Sequence, residues 1–194
     1  MAKLHFHYST MNAGKSTSLL QSNHNYEVRG LKTYLFTPKV DADLHEGLIH
    51  SRLGLEKKAN IFDESFNFYK YFKLKDNEVI ACILVDEAQF LSEEQVKQLA
   101  SICDKYNIPV MCYGIRTDFR GELFEGSATL LALADNLIEL KTVCNICSRK
   151  ATMVVRLNED GKVITKGSKV QIGGNDVYRV LCRKHFNEAT KLLD

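Results

Sequence analysis

The segment Tyr8-Ser9-Thr10-Met11-Asn12-Ala13-Gly14-Lys15-Ser16-Thr17 constrains the fold most, because it lies directly after the first apolar strand and before a helix. A phosphate-gripping loop requires that context. Gly14 lets the backbone curl so that successive N–H groups point inward. Lys15 can then reach β- and γ-phosphate oxygens, and the Ser16 hydroxyl can ligate Mg²⁺. The helix that begins near Lys15 adds the positive end of its dipole. The usual pattern, G-x-x-x-x-G-K-[ST], has a glycine where this chain has Ser9, so the first turn of the loop is less freely shaped. The bland alternative is a chance strand-turn-helix with a surface lysine, which the G-K-S-T tetrapeptide in this position disfavours. The loop alone indicates a nucleotide, not a reaction.

A chain of 194 residues with net charge +2 and 45% hydrophobic composition can bury one full core and carry a small appendage. The first residues alternate polar and apolar without a secretory hydrophobic region. The longest apolar run, Val79 to Val85, is far shorter than the roughly 18 residues of a membrane span. A cytoplasmic protein without membrane partners is expected. A near-neutral balance without a long Lys/Arg block also argues against a dedicated nucleic-acid binder.

The opening reads as a βαβ unit: a strand from Lys3 to Tyr8, a helix from Lys15 to Arg29 stopped by Gly30, and a strand from Lys32 to Thr37. From Val40 to Ala59 no periodicity is visible, and a mobile loop is expected. A short strand and helix are expected within Asn60 to Leu74, with Phe62, Phe66, Phe68, Tyr69 and Phe72 in the core. The run Val79 to Val85 reads as a strand buried on both faces of a parallel sheet. Ser92 with Gln95 opens a helix to about Tyr106. A strand from Pro109 to Tyr113, a helix from Ala128 to Asp135 and a strand from Leu137 to Leu140 complete an α/β P-loop domain over residues 1–141. From Thr142 the texture changes to short strands, Ala151 to Leu157 and Val177 to Leu181, with a helix in the last dozen residues. Residues 142–194 read as a small zinc-ribbon-like domain.

Two sites carry chemistry. Asp86 and Glu87 end the buried strand, where a P-loop domain presents its Mg²⁺-associated carboxylate. Asp86 can hold the ion and Glu87 can take a proton from an attacking hydroxyl or water. A solvated acidic strand end is the plain alternative. Cys144 and Cys147 form C-x-x-C and Cys182 with His185 forms C-x-x-H, a spacing that fits a structural S₃N zinc site better than a disulfide or an iron–sulfur cluster. Such a site would hold Ala151 to Leu181 as a rigid clasp able to enclose a small substrate. The remaining cysteines, Cys82, Cys103 and Cys112, read as buried small hydrophobes.

Residues 9–16, Asp86-Glu87-Ala88-Gln89-Phe90, Tyr113-Gly114-Ile115-Arg116-Thr117-Asp118-Phe119-Arg120-Gly121, the C-x-x-C, and Gly173-Gly174-Asn175-Asp176-Val177-Tyr178 ending in Cys182-Arg183-Lys184-His185 form an ordered series. It resembles the cellular-type (type II) thymidine kinases over nearly the entire chain. The resemblance implies transfer of the ATP γ-phosphate to the 5′-hydroxyl of thymidine, with Glu87 as general base. It also implies a nucleotide site of Ser9, Thr10, Met11, Asn12, Ala13, Gly14, Lys15, Ser16, Asp86, Glu87, Ala88 and Gln89. Met11, Phe90, Phe119 and Tyr178 would surround the nucleoside, and the backbone of Val170, Gln171, Ile172, Gly173 and Gly174 would hydrogen-bond the base edge. Inhibition by dTTP and a homotetramer are implied in the same way. The chain departs from the family pattern at Val180, where a small or hydroxyl residue is usual, and at Asp43, where the family tends to carry an Arg. A P-loop ATPase or GTPase and a non-enzymatic zinc-ribbon module are the competing classes. The first lacks a guanine-reading N-K-x-D or a basic recognition stripe, and the second leaves the phosphate loop unexplained.

Overall fold

The computed structural model describes residues 1–43, 46–75, 77–169 and 177–192. Its elements are β1 (Leu4–Ser9), α1 (Lys15–Glu27), β2 (Thr33–Pro38), α2 (Lys39–Ala42), β3 (Leu48–His50), β4 (Glu56–Lys58), β5 (Asn60–Phe62), α3 (Phe68–Lys73), β6 (Cys82–Val85), α4 (Glu93–Tyr106), β7 (Val110–Ile115), α5 (Glu125–Leu133), β8 (Asn136–Glu139), β9 (Thr142–Val143), β10 (Lys150–Ala151), β11 (Met153–Leu157), β12 (Val163–Ile164), β13 (Tyr178–Leu181) and α6 (Arg183–Thr190). Six strands form one sheet in the order β5-β2-β6-β7-β1-β8, and every neighbouring pair is parallel.

Side-chain alternation between two buried faces explains why central β6 reads as an unbroken apolar run. Phe6, Phe36, Ile83 and Val85 pack on one face with Phe68, Val96, Leu99 and Ile102 from α3 and α4. Leu35, Cys82, Leu84 and Tyr113 pack on the other with Leu19 and Leu20 of α1 and with Ile49 of β3. Phe62, Phe68 and Phe72 are buried core residues. α4 begins at the expected capping box, with Ser92 and Gln95 reciprocally bonded. Cys82, Cys103 and Cys112 are buried; burial pushes their thiols upward, that of Cys82 to about 12. No helix among the described residues is long and apolar enough to cross a membrane.

The structure corrects several boundaries. Only Cys82–Val85 of the long apolar run joins the sheet, and Val79 is 89% exposed. Pairing starts where the Ala81 N–H donates to Lys32 O, while Glu78 is held outside by Lys32 at 2.6 Å and by the Tyr34 hydroxyl at 2.5 Å. The stretch from Val40 to Ala59, read as a loop, contains the end of α2 and an antiparallel β3–β4 hairpin. Its periodicity is faint because Ile49 is the one large apolar side chain buried among its described residues, beside the small Ala42 and Ser51, and it anchors the hairpin to the α1 face. Ala151 to Leu157 is two strands, not one: Ala151 pairs with Thr142, whereas β11 sits between β12 and β13. α5 starts and ends earlier than expected.

On β1, His5 and His7 alternate with the buried Leu4 and Phe6, and His7 stacks on Tyr113 with ring centroids 4.4 Å apart. Burial, with the neighbouring His5, lowers His7 from 6.5 to about 4. The folded state therefore resists a proton that the unfolded chain takes up. Stability is whole above about 6.5 and is lost as pH falls toward about 4. His7→Phe, which keeps a stacked ring, is expected to flatten the acid limb of a melting-temperature profile across that window; an unchanged profile would refute the assignment.

Candidate active site and metal-binding cluster

Parallel strands bring their carboxyl ends to one edge of the sheet. β1 there ends in the phosphate loop and β6 in Asp86, with β7 between them. The loop is shaped by left-handed backbone at Asn12 (φ 60°) and Gly14 (φ 72°), and Gly14 caps α1. Ser9, standing where glycine is usual, has a definite job: its hydroxyl donates to Leu140 O at 2.6 Å, tying the loop to the chain leaving β8. Lys15 is buried and its ammonium donates to Thr10 O at 3.0 Å. The Thr10 hydroxyl is buried without a hydrogen-bond partner among the described residues. An orphan hydroxyl is costly without an acceptor, and it sits where a phosphate oxygen would supply one.

Asp86 is buried beside this loop, and its carboxylate accepts from Ser16 and from the Glu87 N–H, the latter at 3.0 Å. Burial, then the Glu87 charge, pushes Asp86 up to about 7. Burial lowers Lys15, while Glu87 and Asp86 oppose that shift. The Arg52 charge lowers Lys15 further, and a hydroxyl with a carboxylate is a hard oxygen pair suited to Mg²⁺. Glu87 itself takes left-handed backbone (φ 47°), a strained conformation for a non-glycine residue. Its carboxylate accepts a short hydrogen bond from the Gln89 amide, whose oxygen accepts the Ile115 N–H at 3.1 Å. Gln89 thus braces Glu87 against β7. Two glycines allow this: a Cβ on Gly114 would stand 2.9 Å from the Gln89 Oε1, and one on Gly126 would stand 2.6 Å from the carbonyl oxygens of Ala88 and Leu91. Neither close approach has a local sequence signature.

After β8 the chain turns back across the loop, where Leu140 N–H donates to Tyr8 O at 2.9 Å and Glu139 pairs with Lys150. The ligand atoms of Cys144, Cys147, Cys182 and His185 all lie within 4.8 Å of one another. His185 Nδ1 is 3.4 Å from Cys144 Sγ and 3.5 Å from Cys182 Sγ, and the Cys147 and Cys182 sulfurs are 4.0 Å apart. A tetrahedral zinc site needs about 3.6 Å between sulfur and nitrogen and about 3.8 Å between sulfurs, so this cluster could hold zinc. Burial raises the Cys144 thiol, but the His185 ring and main-chain N–H groups outweigh it and draw it down to about 6, which favours the thiolate. The outer His185 nitrogen faces Glu188 at 3.8 Å, beyond direct hydrogen-bond distance.

Met11 packs from the phosphate loop against the cluster's apolar surroundings. A cleft is lined by Asn12 of that loop together with Asn145, Ile146, Tyr178 and Arg179. Phe90 meets Phe124 edge-on at 6.0 Å, and buried Phe119 lies under the Arg156 guanidinium at 3.9 Å. Val170 to Gly174 lie outside the described residues. Another cleft, bordered by Phe72, Val79, Tyr106 and Ile108, opens at the amino ends of β6 and β7, away from this chemistry.

A phosphate loop, a buried aspartate followed by a half-buried glutamate, and a parallel sheet define a P-loop α/β protein. A profile described as thymidine kinase matches residues 2–186. Similar chains called thymidine kinase occur in Shewanella oneidensis (55% identical, covering 97% of this chain and 98% of that one), Rhodopirellula baltica (54%, 97% and 90%) and Ruegeria pomeroyi (54%, 98% and 96%). The chain belongs to the thymidine kinase family, whose phosphoryl donor is ATP.

Gly126→Ala is expected to cost about 2 kcal/mol or more by overpacking and to lower turnover by displacing the turn that carries Glu87; urea melts and initial rates check both. Cys182→Ser is expected to reduce bound zinc from about one per chain to near zero and to destabilise the fold by several kcal/mol. Metal analysis beside thermal melts tests this, and full zinc content in the variant would exclude Cys182 as a ligand.

Proposed function

We propose that this chain transfers the γ-phosphate of ATP to the 5′-hydroxyl of thymidine, giving dTMP for deoxynucleotide salvage and DNA precursor synthesis. The observation that carries the proposal is the pair of buried groups Lys15 and Asp86, with half-buried Glu87 beside them, at the mouth of the phosphate loop, in a chain of this family. Residues 9–16 and 86–89 hold the nucleotide. Met11, Phe90, Phe119, Tyr178 and the backbone of 170–174 take the nucleoside. Residues 1–141 act as the kinase domain and 142–194 as the clasp.

Ser16 and Asp86 would hold Mg²⁺, which neutralises phosphate charge when bound. Lys15 and the loop N–H groups stabilise the negative charge on the transferred group. Glu87, braced by Gln89, orients the 5′-hydroxyl and accepts its proton as the new oxygen–phosphorus bond forms and the bond to ADP breaks. Zinc at Cys144, Cys147, Cys182 and His185 is structural. Feedback by dTTP, a homotetramer and a cytoplasmic location complete the proposal.

Purified protein with ATP, Mg²⁺ and each nucleoside in turn is expected to give dTMP only with thymidine present. Free phosphate without an acceptor would instead make it an ATPase with Glu87 acting on water. Glu87→Gln is expected to reduce kcat by about 10²–10⁴ with the KM for ATP nearly unchanged; unaltered turnover would remove Glu87 from the reaction.

A further inference from the structure

Arg156 sits in the middle strand of the three-stranded clasp sheet, between Ile164 and Tyr178 in register. It is only 3% exposed, and no described carboxylate pairs with it. An arginine stays protonated even when buried, and a buried charge without an anionic partner is expensive. Three neutral groups compensate in part, while Nε stays buried with no hydrogen-bond partner among the described residues. The Phe119 ring lies 3.9 Å from the guanidinium carbon. Nη1 donates to Ser168 O at 2.8 Å, and Nη2 to Lys166 O at 3.5 Å. Gly167 lies between those carbonyls with φ 130°, and a Cβ there would stand 2.5 Å from Nη2. Residues 166–169 are exposed, so no buried side chain of their own fixes them. Lys169 adds a second tie across the molecule, donating to Leu123 O at 2.9 Å.

We propose that Arg156 is a positioning residue for the nucleoside: its guanidinium fixes the Phe119 ring on one side and aims the 166–169 strap on the other. The proposal rests on the reading of Phe119 and Tyr178 as nucleoside-facing. Arg156 acts through these neighbours and leaves the ATP end of the site alone. Lysine cannot replace it, since an ammonium offers neither a flat face for the ring nor two donors in a fixed fork.

Steady-state kinetics on Arg156→Lys, Gly167→Ala and Phe119→Leu, with zinc content and melting temperature measured alongside, provide the test. For Arg156→Lys and Gly167→Ala the KM for thymidine is expected to rise about tenfold, from the loss of a stacked, charged hydrogen-bonding group. The KM for ATP and kcat at saturating thymidine should stay within about twofold. Combined, the two changes are expected to be little worse than either alone, because both break one unit. Amide hydrogen exchange at 166–169 should quicken in each. If Arg156→Lys fails to fold, Gly167→Ala decides the matter, since its exposed strap lies outside the core and the Cys/His cluster. An unchanged thymidine KM in Gly167→Ala, or a parallel loss of both KM values, kcat and melting temperature, overturns the proposal. If Phe119→Leu leaves the thymidine KM unchanged, it is the nucleoside assignment of Phe119 that fails.

Discussion

The burial of Lys15 beside Asp86 and Glu87 is the constraint to which the rest of the site answers. Burial disfavours the charged form of Lys15 and of Asp86 alike, and their mutual attraction offsets this only in part. A second carboxylate stands beside them, and the Arg52 charge also reaches Lys15, so the balance of the set shifts with any phosphate or cation that joins it. The same edge offers an unpartnered Thr10 hydroxyl and the dipole end of α1. These features stabilise opposite charges within a few bonds of each other, which is what a phosphate accompanied by a metal ion presents.

Such a set is useful only if Glu87 stays put, and its left-handed backbone shows that something holds it. The Gln89 amide spans from the Glu87 carboxylate to the Ile115 N–H, so the turn after β6 is pinned to the end of β7. Close backbone approach does the remainder, through Gly114 beneath Gln89 and Gly126 against Ala88 and Leu91. Strain at one residue is thus offset by contacts from two separate elements.

The sheet strands, the α4 capping box and the two metal knuckles were legible in the sequence because each is a local pattern: an apolar run, a Ser-x-x-Gln spacing, a pair of short ligand motifs. The β3–β4 hairpin was not, since among its described residues Ile49 is the one large apolar side chain that is buried and its other buried side chain, Ser51, is polar. The apolar texture of Val79 misled for a related reason: texture does not show that Glu78 is held away from the sheet by Lys32 and Tyr34. Within the site, Lys15, Asp86 and Glu87 stood out as types at fixed spacing. Arg156 did not, because an arginine in a β-strand carries no sign of the ring and carbonyls that tertiary structure brings to it. The same holds for Gly126 and Gly167, whose necessity arises from atoms distant in sequence.

The two buried cations of the described site also divide its chemistry. Lys15 has ionisable partners, so its environment changes with the protonation of Asp86 and with whatever cation joins it. Among the described residues, Arg156 meets a π-face and carbonyl oxygens, which do not titrate near neutrality. The connection between them is mechanical: Ser9 bonds Leu140 where the chain leaves the sheet, Glu139 grips Lys150, and Met11 packs on the clasp. The Lys15 surroundings can therefore change their charge while the Arg156 surroundings do not. That separation suits a reaction in which the electrostatics of the transferred group must vary and the pose of the acceptor must not.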